Sequence, residues 1–465
     1  MQLKIYQTGI LIVLYVFLSS KLVAQQPSIA NLRPYDQSGI NVFEDRKDSL
    51  SVFNSIKVKF GAGFTQQFQN LKHTNPGALN NETGAFVNGV SATGNKLRPL
   101  TAGFQTAQAN LYMDVQLADG IRLNITTYLS TKHHNETWVK GGYIQFDKLP
   151  FKRQIWNNIM KVTTIKIGHF ELDYGDEHYR RSDGGQSLYN PFMEGNIMDE
   201  FATEIGGQVM VRKNGWFGIA GLSSGMIKGN VDSLYKTANP DNDLRKAPSI
   251  LLKAGFDKQI AEHIRLRLTG SYYGNQSSGG NTLFGGDRSG SNYQFIMEQN
   301  SNNPSSTTGS GSALAFSGRF NPGFSKKINA VMLNGFVKVH GLEFFGTFET
   351  ASGRTSKEAT DRKVNQYAID GVYRFGASEK LFIGVRYNTV TARLADNAAG
   401  TGAGGIAYAG NVHINRFATS AGWFLTKNIL MKAEYVKQQY KDFPGADYRA
   451  GGKFNGYVVE AIVGF

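Results

Sequence analysis

The chain has 465 residues, 50 Lys and Arg against 36 Asp and Glu, a formal charge of +14 and no cysteine. The missing cysteine excludes a disulfide framework and thiolate metal sites. A mean hydropathy of -0.31, and no run beyond the N-terminus approaching the roughly 20 apolar residues a spanning helix needs, exclude a helical membrane protein.

In chain order, residues 1–24 read as a secretory signal: Lys4 supplies the positive start, residues 8–17 the apolar stretch, and Leu22-Val23-Ala24 a cleavage site. Residues 25–54 contain Pro27, Pro34, Asp36, Gly39 and a charged run from Glu44 to Asp48 without sustained periodicity. They are expected to form a periplasmic extension, much too short to be a plug domain of the kind that fills active transporters. Residues 55–465 form the remaining unit.

Strict alternation begins at Ile56, with Val58, Phe60, Ala62 and Phe64 opposing Lys57, Lys59, Gly61 and Gly63. Leu111, Met113, Val115 and Leu117 oppose Asn110, Tyr112, Asp114 and Gln116. A turn at Ala118-Asp119-Gly120 then leads to Ile121, Leu123 and Ile125 against Arg122, Asn124 and Thr126. Further strands centre on Ile144, Ile167, Val209, Ile219, Leu252, Leu266, Leu333, Phe344, Ile369, Ile383, Thr419 and Met431.

Short turns, among them the Asn214-Gly215 pair that a type I′ hairpin wants, alternate with long connections rich in Gly, Ser, Asn and Asp. One connection, 148–161, has Phe151, Ile155 and Ile159 at helical spacing behind Pro150, which suggests a small helix. The last strand carries Tyr457, Val459, Ala461, Val463 and Phe465 on a charge-free face. Low hydropathy combined with period-2 apolar faces is what a membrane-spanning antiparallel β-barrel requires. With both ends on one side, 313–320 as part of a long external loop makes 16 strands; paired with 293–299 it makes 18. Sixteen is the expectation.

Assigning the apolar parity to lipid leaves a basic excess inside: Lys57, Lys59, Arg122, Lys166, Arg212, Lys253, Arg265, Arg267, Lys338, Arg374, Arg386, Arg416 and Lys432. Against them stand Asp114, Glu204, Asp257, Glu343, Glu349, Asp370, Glu434 and Glu460. Basic side chains around an aqueous pore favour anions; the alternative is that they pair with the inner acids and stiffen the wall. A weak anion preference is expected for the sum.

The most unusual connection follows the fifth strand: Tyr174-Gly175-Asp176-Glu177-His178-Tyr179-Arg180-Arg181, continuing to Pro191-Phe192-Met193-Glu194. Gly168-His169-Phe170 before it, and Asp199-Glu200-Phe201 leading into Glu204-Ile205-Gly206-Gly207-Gln208-Val209 after it, resemble the corresponding region of bacterial outer-membrane porins, of the phosphate-selective (porin O/P-like) and general families. The closing strand is similar to theirs, with Tyr457 and Phe465 in the place of the assembly signal.

The resemblance implies a third loop that folds inward and narrows the pore, here through Asp176, Glu177, His178, Arg180 and Arg181. It also implies placement in the outer membrane of a Gram-negative bacterium, contact with membrane lipid and the barrel assembly machinery, and passage of small anionic or hydrophilic solutes. Homotrimers are common in such families, although no residue here chooses trimer over monomer. A dense lysine ladder of the phosphate-selective kind is not evident.

No enzyme motif, cofactor or nucleic-acid partner is expected. His133-His134-Asn135-Glu136 and the 173–178 cluster lack a recognised ligand spacing, so no metal site is expected either. The rivals to a pore are a barrel serving as a surface adhesin or as the scaffold of a secretion or motility machine, and a barrel enzyme such as an outer-membrane phospholipase or protease.

Overall fold

The computed structural model describes residues 26–29, 31–45, 47, 53–78, 86–87, 90–91, 95–130, 137–151, 153–183, 186–201, 203–232, 245–286, 289–299, 317–396 and 406–465. The expected leader and the His133–Glu136 cluster lie outside them.

Sixteen long strands form one closed antiparallel sheet. They are β1 (Lys57–Thr74), β2 (Gln108–Ala118), β3 (Ile121–Ser130), β4 (Thr137–Phe146), β5 (Thr163–Glu171), β6 (Thr203–Lys213), β7 (Trp216–Ser223) and β8 (Ser249–Ala261). The circuit continues through β9 (Ile264–Asn275), β10 (Lys327–Val339), β11 (Leu342–Arg354), β12 (Arg362–Phe375), β13 (Leu381–Ala392), β14 (Val412–Thr426), β15 (Ile429–Lys441) and β16 (Lys453–Gly464).

Closure falls to β1, the longest strand at 18 residues. Its first half pairs with β2, from Lys57 opposite Gln116 to Thr65 opposite Gln108. Its second half pairs with β16, from Gly63 opposite Gly464 to Thr74 opposite Lys453. One extra short strand, Gly103–Phe104, lies against the upper part of β1. The 18-stranded alternative fails because Tyr293 and Ile296 are buried in a non-strand turn rather than paired.

Short turns join the strands at one barrel end. At the β6–β7 hairpin both Asn214 (φ 54) and Gly215 (φ 89) have positive φ, which explains the Asn-Gly pair. The expected helix is present as α1 (Gln154–Met160).

Outward positions are apolar and exposed, as with Phe344, Ile369, Ile383, Trp423, Tyr457, Val459 and Phe465. Every inward acid and base named from parity is buried or half-buried. A closed sheet that satisfies its own backbone and shows an apolar outside is built for a bilayer; the chain is a membrane-spanning β-barrel.

The N-terminal extension departs from the simple expectation. Residues 31–45 and 47 cross the lumen at the short-turn end: Gln37 N donates to Lys427 O (2.8 Å) on one side, and Lys47 Nζ to Asp147 O and Thr163 O (both 2.6 Å) on the other. Just before the first anchor, Tyr35 donates to Asp114 (2.8 Å) and stacks on Tyr112, with ring centroids 4.1 Å apart. A strap of this length can span the lumen although it is no domain.

Candidate functional site in the barrel lumen

The third loop, 172–202, leaves β5 and crosses to the opposite wall. Asp176, Glu177, His178, Arg180 and Arg181 are all buried. The inward parity of β8 to β15 supplies one polar side chain after another to a loop that has no regular partner for its own backbone.

Gly175 turns the chain at φ 68, where a Cβ would lie 2.2 Å from Met332 Sδ. Its carbonyl accepts from Lys253 (2.7 Å), and Asp176 N donates to Asn334 (2.9 Å). Further along, Met193 N donates to Glu434 (2.8 Å), Ile197 N to Asn388 (2.6 Å) and Met198 N to Gln366 (2.9 Å). An irregular segment can be buried only when its amide groups find such partners.

Eight of the nine basic residues singled out as pore-lining have their charged ends engaged in the same way. Arg267 grips Asp176 through Nε and Nη2 (2.8 and 2.7 Å) and the strap's Glu44 through Nη1 and Nη2 (2.7 and 2.6 Å). Lys253 bridges Asp176 (2.8 Å) and Glu44 (3.2 Å). Arg265 pairs with Asp257 and donates to Asn41 O (2.8 Å).

Arg386 pairs with Asp370 (2.6 Å) and donates to Glu194 O (2.8 Å). Arg416 donates to Gln438 (2.7 Å) and to the carbonyls of Gly195 and Gly318 (both 3.0 Å). Arg374 binds Glu343 (2.8 Å), Arg122 binds Asp147 (3.2 Å), and Arg212 reaches Glu44 (3.4 Å). These groups anchor the strap, the loops or the wall, because a buried cation without a partner carries a large desolvation cost.

The ninth is Lys166. Among the described residues it makes no hydrogen bond or ion pair, and its ammonium lies 4.7 Å from the centre of the Tyr143 ring and 5.3 Å from that of Phe170.

The electrostatics of the strap and loop follow from these contacts. Burial disfavours ionisation of Glu44, but Arg267 and Lys253 outweigh it and hold the carboxyl at about 2. Asp176 is held well below the carboxylate range for the same reason. Burial pushes His178 down to about 3, against the pull of Asp173. Glu200 is pushed well above its usual value by burial and by the neighbouring Glu349, and its carboxyl accepts from Gln366 (2.9 Å).

Sequence reasoning did not find a second inward loop. Described parts of the 276–326 connection pack on the third loop, with Phe201 N donating to Leu283 O and Phe320 N to Ile197 O (both 2.8 Å). Arg319 pairs with Glu194 and Asp199 (both 3.0 Å), and Tyr293 donates to Glu434 (2.5 Å). Its Gly/Ser/Asn composition is that of an external loop, and only isolated residues such as Tyr293 and Phe320 hint at burial.

On the β2–β6 side the filling is incomplete. A cavity of about 220 Å³ lies between wall, strap and third loop, lined among others by Tyr143, Lys166, Phe170, Asp173, His178 and Gln208. Of the nine basic residues named from sequence, only Lys166 is in this lining, where it stands with Arg33 and Lys140.

No family model matches the chain, and no curated protein matches it. Among solved structures it is similar to the in-vitro folded outer membrane protein OmpT of Vibrio cholerae, at 10% identity over 90% of this chain and 100% of that one, with a TM-score of 0.46. It is also similar to the outer membrane channel DcaP of Acinetobacter baumannii, at 12% identity over 90% and 100% with a TM-score of 0.46. An anion-selective porin from Comamonas acidovorans is similar at 9% identity over 88% and 100%, with a TM-score of 0.45.

Proposed function

We propose that the protein is a porin for passive diffusion of small hydrophilic solutes, with a weak preference for anions. The observation that carries this reading is the cavity left along β2–β6, lined by polar and aromatic side chains alike, beside a third loop stitched to the far wall. Solutes pass on that side, and the loop with Asp176, Glu177, His178, Arg180 and Arg181 sets the constriction. The preference for anions is weak because Lys166 alone among the nine basic residues faces the cavity without an ion pair among the described residues. Both chain ends and the short turns face the periplasm in this reading, and Phe465 is what the assembly machinery reads.

Purified protein in liposomes should support swelling in small sugars, and in planar bilayers a reversal potential displaced slightly toward anions. Absence of both would overturn the pore.

One observation favours a second reading, a closed barrel used as an adhesin or scaffold: the strap and two long loops fill much of the lumen. Liposomes that do not swell, from a correctly folded protein, would select it.

A further inference from the structure

Outward-facing basic side chains are unevenly spread around the barrel. Among the described residues, no outward position in the long-loop half of β2–β9 carries Lys or Arg. On β15, β16 and β1, by contrast, Lys437, Lys441, Lys453 and Lys72 all point outward near that end, and all are exposed. The register sets them side by side. Lys437 and Lys72 flank Asn455 in one row, and Lys453 stands one row nearer the loops, between Gln439 and Thr74. Two strand spacings separate the Lys437 and Lys72 backbones by about 10 Å, and one row by about 7 Å. Lys441 completes the cluster opposite His413.

Nothing in the chain neutralises this charge. None of the four lysines has an ion pair among the described residues, and no outward position of β14, β15, β16 or β1 is acidic. Asp442, just past β15, is paired with His413 (2.7 Å). The outward bases of β10 and β11 differ, because Asp361 pairs with both Lys327 (2.8 Å) and Arg354 (2.7 Å).

The row beneath the lysines fixes their depth. Tyr435 and Tyr457 lie opposite each other there, 45% and 46% exposed, and the Tyr457 hydroxyl accepts from Asn70 (3.2 Å). Below them the outward residues of β15 and β16, including Ala433, Val459, Met431 and Val463, are apolar. Outward tyrosines mark the boundary between hydrocarbon and headgroups, so the lysines stand at the level of lipid phosphates. Their four positive charges exceed the roughly two negative charges of one phosphate monoester. Asn455 and Gln439, set among them, offer amides to neutral hydroxyls.

We propose that this patch docks a glycolipid carrying more than one phosphate, in the leaflet on the long-loop side. Its phosphates lie among Lys72, Lys437, Lys441 and Lys453, its sugar hydroxyls meet Asn455 and Gln439, and its acyl chains run along the apolar face below Tyr435 and Tyr457. The lipid spans the seam where β16 meets β1. A second copy of the chain fits poorly, because a two-fold contact sets lysine against lysine. The site needs only the membrane-spanning barrel and is independent of conduction.

The test is native mass spectrometry of the folded full chain in neutral detergent, titrated with diphosphoryl lipid A. Phosphatidylglycerol is the single-phosphate comparator and inorganic phosphate the soluble competitor. One saturable diphosphoryl lipid A is expected, bound about tenfold or more tighter than phosphatidylglycerol and not displaced by equimolar phosphate. Lys72→Gln, Lys437→Gln and Lys453→Gln should each weaken it about fivefold, the worth of one lysine at an anionic lipid surface. Lys213→Gln and Lys258→Gln, exposed and outward at the opposite end, should leave it unchanged.

No saturable binding, phosphatidylglycerol or inorganic phosphate matching diphosphoryl lipid A, or equal losses at Lys213 and Lys258 would overturn the proposal. So would a dimer of the chain, broken by the same lysine variants, in place of bound lipid. Lipid binding by a barrel that does not swell liposomes would remove the pore and leave this site standing; swelling without lipid binding would do the reverse.

Discussion

Replacing Glu44 with Gln should release the strap from the lumen while leaving the barrel folded. Its carboxyl is held from its ordinary 4.5 down to about 2 by Arg267 and Lys253 despite burial. That difference corresponds to about 3 kcal/mol of pairing at neutral pH, so the ratio of docked to undocked strap should fall roughly a hundredfold. Arg267 and Lys253 are not stranded by the change, because Asp176 and Asp257 still face them.

Hydrogen–deuterium exchange of residues 31–45 in the full chain reads the effect directly. Those amides should exchange about a hundred times faster in the variant, while the strand amides stay protected. Because pairing lowers the folded-state value of Glu44, its stabilisation is complete above pH 4.5 and is lost as the pH falls toward 2. The wild-type strap should therefore loosen across that window, and the Gln variant should lack this component. Unchanged exchange of 31–45 in Glu44→Gln would show that the charge knot does not hold the strap.

Four further outcomes are expected. His178, pushed by burial from 6.5 to about 3, is neutral in the folded loop; the associated stabilisation is full above pH 6.5 and declines as pH falls toward 3, so His178→Gln should flatten the pH dependence of exchange in 174–183 between pH 6.5 and 4.5. Lys166→Glu should move the reversal potential toward cations in planar bilayers with normal folding. Arg267→Glu should instead lower thermal stability by about 3–5 kcal/mol, since it would face Glu44, Asp176 and Asp257. Deleting Phe465 removes two backbone hydrogen bonds to Ala62 (both 3.0 Å) at the closing seam and should reduce heat-modifiable folded barrel in the membrane without reducing export.

Strand number and facing were legible because both are local. A residue's parity in a strand decides its side of the sheet, and the inward positions of Lys253, Arg267, Arg386 and Arg416 follow from that alone. The seam at β16 was legible for the same reason, from alternating Tyr457 to Phe465. The Asn214-Gly215 turn was legible because positive φ at two successive positions restricts which residues fit.

What those inward groups touch was not legible. Arg267 reads from sequence as a base facing water; in the fold it meets Glu44, 223 residues away along the chain, and Asp176 from a different loop. The partner of a long side chain depends on where irregular segments settle, and neither the strap nor the 276–326 loop has a periodicity that announces burial. The sequence by itself determined a barrel and the inward basic parity. The tertiary structure alone decided that most of this charge anchors a strap and two loops, leaving Lys166 to face the remaining cavity. The physical reason is that parity orients a side chain, whereas burial of charge is decided by partners distant in the chain.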